Sequence, residues 1–412
     1  MKIRPFRAWR PAPDKAHLVA SRSYVEYAPD DLTAKLRSNP YSFLHIIHPD
    51  LGRDMHLTQA ERFRRVRKKF ESFCKEKILQ QDALPSLYIY QQDQEDRSSR
   101  GIICAVSVQE YRDGLIKVHE QTLTARETLF EKYLGETGIN AEPVLLTSSD
   151  MPLLEATMDR VALTRPELDL RTTDRVRHRL WAINDTAHLE EVEACFNALD
   201  ALYIADGHHR TASSARLAES SNAKNEDPKA WCLAFIVPRA HLHIWNFDRA
   251  VTSLNGMDTA EFLGELGKVG ALHPINGAPS TSPDQGQVFI CTRIGWYSLQ
   301  LPPPPVWSKP ADGLDPALLS TCILAPVLGI KDLRTDPHIR FVPGTQGTAE
   351  LERMVKMGEA AVAFHLRPIS FEELKAVADS NGTMPPKSTY IEPKMRSGLT
   401  IYPLDRSADE EM

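Results

Sequence analysis

The sequence lacks any run of eighteen consecutive apolar residues, and its opening stretch, MKIRPFRAWRPAPDKAH, contains no apolar signal core. Neither a membrane-spanning helix nor a secretory leader is expected, so the chain reads as cytoplasmic with no membrane partner. Cysteine is sparse: Cys74, Cys104, Cys195, Cys232, Cys291 and Cys322 are scattered over 412 residues, several in apolar runs such as Gly101-Ile102-Ile103-Cys104-Ala105-Val106. Buried free thiols in a reducing compartment suit this usage. An excess of positive charge is missing too. The formal net charge is −6, with 25% of residues charged, so no global field favours nucleic acid or an anionic membrane, and any anion site must be local. HExxH and Walker patterns, a helix-turn-helix signal and internal repeats are all absent. At this length the chain is expected to form two or three domains with ample apolar content for their cores.

What the sequence does have is a concentrated polar motif. Residues 202–217 read LYIADGHHRTASSARL. Leu202-Tyr203-Ile204-Ala205 is rich in strand formers, and the stretch from Thr211 to Glu219 favours helix, so Asp206 to Arg210 form a strand-to-helix turn. The first N–H groups of such a helix have no intrahelical partner and carry the positive end of its dipole. Anions bind there readily. Gly207 permits a sharp turn and close approach, while His208, His209 and Arg210 add donors, with Arg210 suited to a two-point contact on phosphate or carboxylate. The motif reads as a phosphate cradle. Plainer readings stand beside it: Asp206 as a helix cap, a surface turn of chance polar residues, and a metal site. The last lacks a Cys or HExxH partner at ligand spacing, and no residue is assigned as a metal ligand.

Residues 31–37 and 58–80 look helical, the latter with Phe63, Val66, Phe70 and Phe73 on one face and cations on the other, a pattern usual for a solvated face. Strands are expected at Ser86 to Tyr90 and Gly101 to Val108, as a hairpin around QQDQEDRSSR, and at Ala230 to Val237. NGAPSTSPDQG at 276–286 and Pro302 to Pro305 read as loops, and the last ten residues as disordered. A second cluster, Lys117-Val118-His119-Glu120-Gln121-Thr122, follows the strand-like VQEYRDGLIKV and precedes the helical TARETLFEKYLGETG. Alone, Glu120 is a base candidate or an ordinary helix-start acid. A third, Met384-Pro385-Pro386-Lys387-Ser388-Thr389-Tyr390, is a proline-stiffened loop carrying a lysine and two hydroxyls.

In this order, KVHEQT, IADGHHR and MPPKST resemble the SerK-like family, which includes free L-serine kinases and sits in the ParB/sulfiredoxin superfamily. PFRAWRP at the start, Asn39 to His45, TGINAEPVLL at 137–146 and LLSTCILAPVLGI at 318–330 extend the resemblance over nearly the whole chain, as a long member of a largely uncharacterised group. The resemblance implies an α+β fold: an N-terminal α/β segment over 1–85, a ParB/sulfiredoxin-like catalytic core over 86–225, a second α+β region over 226–380, a tail over 381–404 that returns to the cleft, and a disordered end over 405–412. A ligand site between core and second region is expected.

The resemblance also implies roles. Glu120 is the base that takes the proton of a substrate hydroxyl, and Asp206 a catalytic or metal-organising acid. Gly207, His208, His209 and Arg210 hold nucleotide phosphates, while His119, Lys387, Ser388 and Thr389 line the acceptor pocket, although Tyr390 and Ile391 stand where the archaeal kinase has arginine and histidine. The implied activity is transfer of a phosphoryl group from ADP or ATP, with Mg²⁺, to a small hydroxyl-bearing metabolite, free L-serine first, for which positioning, charge neutralisation and one carboxylate base suffice. Near the start, Arg22-Ser23-Tyr24-Val25-Glu26 replaces the Pro-Pro-Tyr-Asp element of many long members: the tyrosine is kept as Tyr24, and the carboxylate is not unless Glu26 substitutes from the next position. The alternative function is a nucleotide-binding switch or clamp of ParB type, against which the acidic charge counts. A sulfiredoxin-like redox reading fails for want of a cysteine in or beside Asp206 to Arg210. No nucleic-acid partner is expected, and the oligomeric state is left open.

Overall fold

A computed structural model describes residues 1–48, 57–95, 97–303 and 309–405. The protein is of the α+β class, and its chain divides into two compact units. The first comprises residues 1–117, 122–242 and the chain from Pro393; the second comprises 118–121 and 243–392.

The first unit is built on a nine-stranded mixed sheet. Its strands are β1 (Ile3–Arg4), β2 (Leu87–Gln94), β3 (Arg97–Ser107), β4 (Ile116–Lys117), β5 (Val144–Ser148), β6 (Leu168–Arg171), β7 (Arg177–Ile183), β8 (Leu202–Asp206) and β9 (Trp231–Pro238). They lie in the order β4-β8-β5-β9-β3-β2-β7-β6, with β1 also pairing β3. The central strands read as continuous apolar runs because both faces are covered: Ile102 to Ala105 on β3 and Leu233 to Ile236 on β9 are wholly buried. Gly101 sits among them because a Cβ there would stand 2.1 Å from the Ile236 carbonyl oxygen.

The expected hairpin forms, but its strands run on through QQDQEDRSSR, pairing Gln91 with Arg100 and Asp93 with Ser98. The polar side chains of that stretch pair too: Gln91 Nε2 donates to Asp93 at 2.8 Å and to Ser98 at 3.0 Å. VQEYRDGLIKV departs from expectation. Val108–Arg112 is a helical turn, Gly114 takes a left-handed φ of +73°, and only Ile116–Lys117 is strand. The local pair between Gln109 Nε2 and Asp113 at 2.8 Å supports that turn.

The longest described helices of this unit are α1 (Gln59–Lys75), α2 (Thr124–Thr137), α3 (Pro152–Ala162), α4 (Thr186–Asn197) and α5 (His208–Ser220). A Thr58/Glu61 capping box starts α1, which buries Val66, Phe70 and Phe73. The α2 helix ends at Gly138, left-handed at φ +70°. The segment after Pro393 is woven back into this unit. Ser397 exchanges backbone hydrogen bonds with Ser21, Ile401 with Trp9, and Tyr402–Pro403 pair with Ile139–Asn140. Asp405, expected in a disordered end, pairs with Arg67 at 3.0 Å; 406–412 lie outside the described residues.

The second unit carries an antiparallel sheet of β10 (Phe247–Val251), β11 (Leu272–Ile275), β12 (Gln287–Thr292), β13 (Gly295–Gln300), β14 (Ile339–Pro343) and β15 (Val362–His365), in the order β11-β13-β12-β15-β10-β14. Alternation along the strands divides its core. Val251, Ile290 and Phe364 pack with Phe262 and Leu266 of α6 (Thr259–Val269), while Ala250, Phe289 and Ala363 pack with Leu351 and Met354 of α7 (Gly347–Lys356). A further helix, α8 (Phe371–Asp379), starts at a Ser370/Glu373 capping box. The incoming His243–Trp245 and outgoing Tyr390–Glu392 pair with each other. Residues 276–286 have no helix or strand, as read from the sequence; of the proline run, Pro302 and Pro303 are irregular and the rest lies outside the described residues. All six cysteines are free, and among the described residues no helix is long and apolar enough to cross a membrane.

Candidate functional site

The turn after β8 is built around one backbone conformation. Leu202 to Ala205 are buried in the sheet, and Gly207 follows Asp206 with φ +102°. A Cβ at Gly207 would stand 3.0 Å from Arg210 Nη2 and 3.1 Å from Val144 Cγ1, a tight fit, and the left-handed φ favours glycine. Gly207 is the N-cap of α5, and no side chain caps this thirteen-residue helix. Asp206 is therefore not a helix cap. Its carboxylate lies 3.3 Å from Arg210 Nη2 and 3.6 Å from Lys394 Nζ, with 46% of its side-chain surface still open although protein crowds around it. Burial pushes this carboxyl up, but Lys394, Arg210 and His208 outweigh that and hold it below the usual carboxylate range.

Arg210 also serves the fold. Its Nη1 donates to the carbonyls of Pro143 at 2.6 Å and Glu142 at 3.3 Å, tying the loop before β5 to the start of α5. His209 Nε2 accepts from the Leu123 N–H at 3.1 Å, just before α2. An accepting Nε2 requires the neutral ring, and burial, with Arg126 nearby, lowers the His209 pKa accordingly. His208 is buried, leaving 5% of its surface exposed.

Two residues at this corner carried no site assignment from the sequence. Lys394, seven positions beyond Lys387, is the tail lysine that reaches Asp206. Its signal was weak, since MPPKSTYIEPK holds two lysines and the motif falls on the first. Glu26 is the other. Burial pushes its carboxyl up, against Arg22, Arg396 and Lys394, so the acid of RSYVE lies within electrostatic range of the lysine that pairs with Asp206. Arg396 pairs with Asp174, and Ser397 Oγ donates to Glu142 Oε1 at 3.2 Å, so the returning segment makes further contacts beyond Lys394.

The remaining assigned residues belong to the second unit, where His119 and Glu120 join the MPPKST loop. The Met384 N–H donates to the His119 carbonyl at 2.9 Å. Arg249, wholly buried on β10, donates from Nη1 to the Phe247 carbonyl at 2.6 Å and from Nη2 to the Pro386 carbonyl at 3.4 Å, with its guanidinium 4.7 Å from the Phe341 ring centroid. Burial pushes its pKa down to about 10. Lys387 holds a left-handed φ of +55° with Nζ 5.1 Å from the Phe247 ring centroid, and the buried Ser388 donates to the Pro385 carbonyl at 2.7 Å. Thr389 follows, half-buried. Asp206, Gly207, His208, His209 and Arg210 thus share one unit, and His119, Glu120, Lys387, Ser388 and Thr389 the other.

Residues 3–317 match the family model described as "Protein of unknown function (DUF1015)". The chain belongs to this family. Membership agrees with the SerK-like resemblance of the three motifs. Among curated proteins there is no match. Among solved structures, a free serine kinase in complex with AMP is similar at 14% identity and a TM-score of 0.36, covering 72% of this chain and 91% of that one. SbnI with C-terminal truncation from Staphylococcus aureus is similar at 13% identity and a TM-score of 0.38, over 75% of this chain and 92% of that one. A conserved hypothetical protein from Pyrococcus furiosus is similar at 13% identity and a TM-score of 0.38, over 73% and 95% of the two chains.

Proposed function

We propose that this DUF1015 protein is a nucleotide-dependent phosphotransferase that phosphorylates the hydroxyl of a small metabolite, with ADP or ATP as donor and free L-serine as the first acceptor to test. The observation that carries the reading is the start of α5: a left-handed glycine opens a helix that no side chain caps, beside a half-open carboxylate with Lys394 next to it. Uncapped N–H groups and the helix dipole favour an anion, and Lys394 adds positive charge to the same corner.

Mg²⁺ fits this corner as an ion that arrives with the nucleotide. Such an ion is held by one or two carboxylates together with phosphate oxygens and water. Asp206 offers one open carboxylate, and among the described residues no group of three or more His, Cys, Asp or Glu side chains forms a cage. When bound, the ion supplies charge neutralisation on the transferring group. In this reading Asp206 orients the ion and Lys394 balances charge on the phosphates. His119, Lys387, Ser388 and Thr389 hold the acceptor. Glu120 accepts the proton of the acceptor hydroxyl at a carboxylate oxygen as the new O–P bond forms and the bond from that phosphorus to the bridging oxygen of the donor breaks, so that AMP leaves from ADP, or ADP from ATP.

The test is to incubate purified protein and Mg²⁺ with ADP or ATP and a panel of amino acids, then look for AMP or ADP and a phosphorylated product by mass spectrometry. Glu120→Gln keeps the shape and removes the base, so transfer should fall by about 10²- to 10⁴-fold with nucleotide affinity nearly intact. Transfer at the parent rate would refute Glu120 as base. Nucleotide-driven dimer closure without any phosphorylated product would favour a binding switch instead.

A further inference from the structure

The first unit contains a cavity of about 760 Å³ in which none of the residues assigned above except Arg210 takes part. Its size is that of a small-molecule site rather than a packing void. Tyr24, Phe63, Phe130 and Tyr133 line it, and Glu142 and Arg210 form part of the same wall. Phe63 and Tyr133 meet edge to face with centroids 5.4 Å apart, which fixes two of the rings. Burial, with Glu142 and Tyr24 nearby, pushes the Tyr133 hydroxyl pKa up, so it remains an O–H able to donate. Glu142 uses Oε1 to accept from Ser397, and a carboxylate accepts several hydrogen bonds.

A purely alkyl ligand would cover this carboxylate and this hydroxyl without pairing them, at the cost of desolvating both. A flat nitrogenous ring meets both demands: its faces stack on the aromatic side chains and its edge donates and accepts. Arg210 supplies the direction. Its backbone lies in the first turn of α5, while its side chain reaches the Glu142 and Pro143 carbonyls and forms part of the cavity wall. A ligand leaving the cavity along Arg210 therefore arrives at the uncapped helix start, where negative charge is favoured. We propose that the cavity between Phe63, Phe130, Tyr133 and Glu142 seats the nucleobase, purine first, of a nucleotide whose phosphates lie at the start of α5. This rests on the nucleotide-dependent reading and adds the part of the ligand that the motifs leave unassigned.

The test is equilibrium binding of a fluorescent N-methylanthraniloyl ADP to the full chain, with competition by ADP, by adenosine, which has the base without phosphates, and by inorganic tripolyphosphate, which has the reverse. The proposal expects adenosine to compete. Phe130→Ala should weaken ADP and adenosine by roughly 5- to 100-fold, the scale of lost stacking, and leave tripolyphosphate competition unchanged, which also reports an intact fold. Phe130→Tyr should restore most of the affinity. If ADP binds but Phe130→Ala and Phe63→Ala both leave it within twofold, the cavity assignment is overturned and the phosphotransferase reading stands. If the labelled ADP does not bind at all, both fall. Displacement of anilinonaphthalene sulfonate from the cavity by dodecanoate and not by adenosine would also overturn the assignment.

Discussion

Asp206 and Asp248 are both aspartates at the ends of sheet strands, and they meet different fates. Asp248, on β10, is wholly sealed: it accepts from Asn246 Nδ2 and from the Leu366 N–H at 3.1 Å, and it pairs with His365 Nδ1 at 3.0 Å. Asp206 keeps almost half its side-chain surface open, and its cations stand at 3.3 and 3.6 Å. Arg249 and Arg210 show the same contrast. Each guanidinium holds two backbone carbonyls, but Arg249 is shut inside its unit whereas Arg210 borders a cavity. The difference separates a brace from a candidate site. A buried charge whose lone pairs the protein has filled has nothing left for a ligand, and an open one with loose partners does.

Removing the sealed charge should have the larger effect. Asp248→Ala leaves Asn246 and His365 without their acceptor, and the second unit should lose about 3–5 kcal/mol, the cost of breaking a buried pair. Urea denaturation of variant and parent measures this, and a loss below about 1 kcal/mol would mean that Asp248 is not a brace. The open side is sharpened by Arg210→Ala, expected to weaken ADP binding by about 1.5–3 kcal/mol in titration calorimetry. Arg210→Lys should recover little, since one ammonium does not reproduce the guanidinium's hold on the Pro143 and Glu142 carbonyls. Unchanged affinity in Arg210→Ala would contradict its place at the ligand.

A pH-dependent effect asks whether sealing, rather than the choice of unit, decides. His178 of the first unit is wholly buried between the Tyr90 hydroxyl at 2.7 Å and the Thr172 hydroxyl at 3.2 Å, and burial, with Arg396 nearby, pushes its pKa down to about 3. The unfolded chain carries an ordinary imidazole, so it binds the proton first as pH falls. Stability from the neutral ring is present in full above the ordinary imidazole range and is lost from there down to about pH 3, at up to about 1.4 kcal/mol per pH unit. His178→Gln should flatten that part of the denaturation curve. Parallel curves for the two proteins would show that His178 does not contribute it.

The strand–glycine–helix turn was legible because its grammar is local: an apolar run, a glycine and a helix-forming run in direct succession. The helix at 58–80 was legible from its 3.6-residue period, and Val66, Phe70 and Phe73 are indeed its buried face. Phe63, one turn earlier, lines the cavity, as Val66 does too, and periodicity does not distinguish a cavity wall from core. The stretch before KVHE misled because its apolar and β-branched residues suit a strand, while the Gln109/Asp113 pair and the left-handed Gly114 bend it into a turn. Lys394 was illegible for a topological reason: its partner is 188 positions away, across the inserted second unit, and no local pattern encodes that return.

That return sets an order of events during synthesis. Every strand of the nine-stranded sheet has left the ribosome once Pro238 has emerged, whereas Lys394 comes some 150 residues later, after the whole inserted unit. A chain interrupted anywhere within that insertion would possess the glycine turn, the start of α5 and Arg210, but not Lys394, the second cation beside Asp206. The corner therefore gains Lys394 only after the whole inserted unit has been made, and a truncated product would carry the glycine turn with Arg210 as the neighbouring cation but without Lys394.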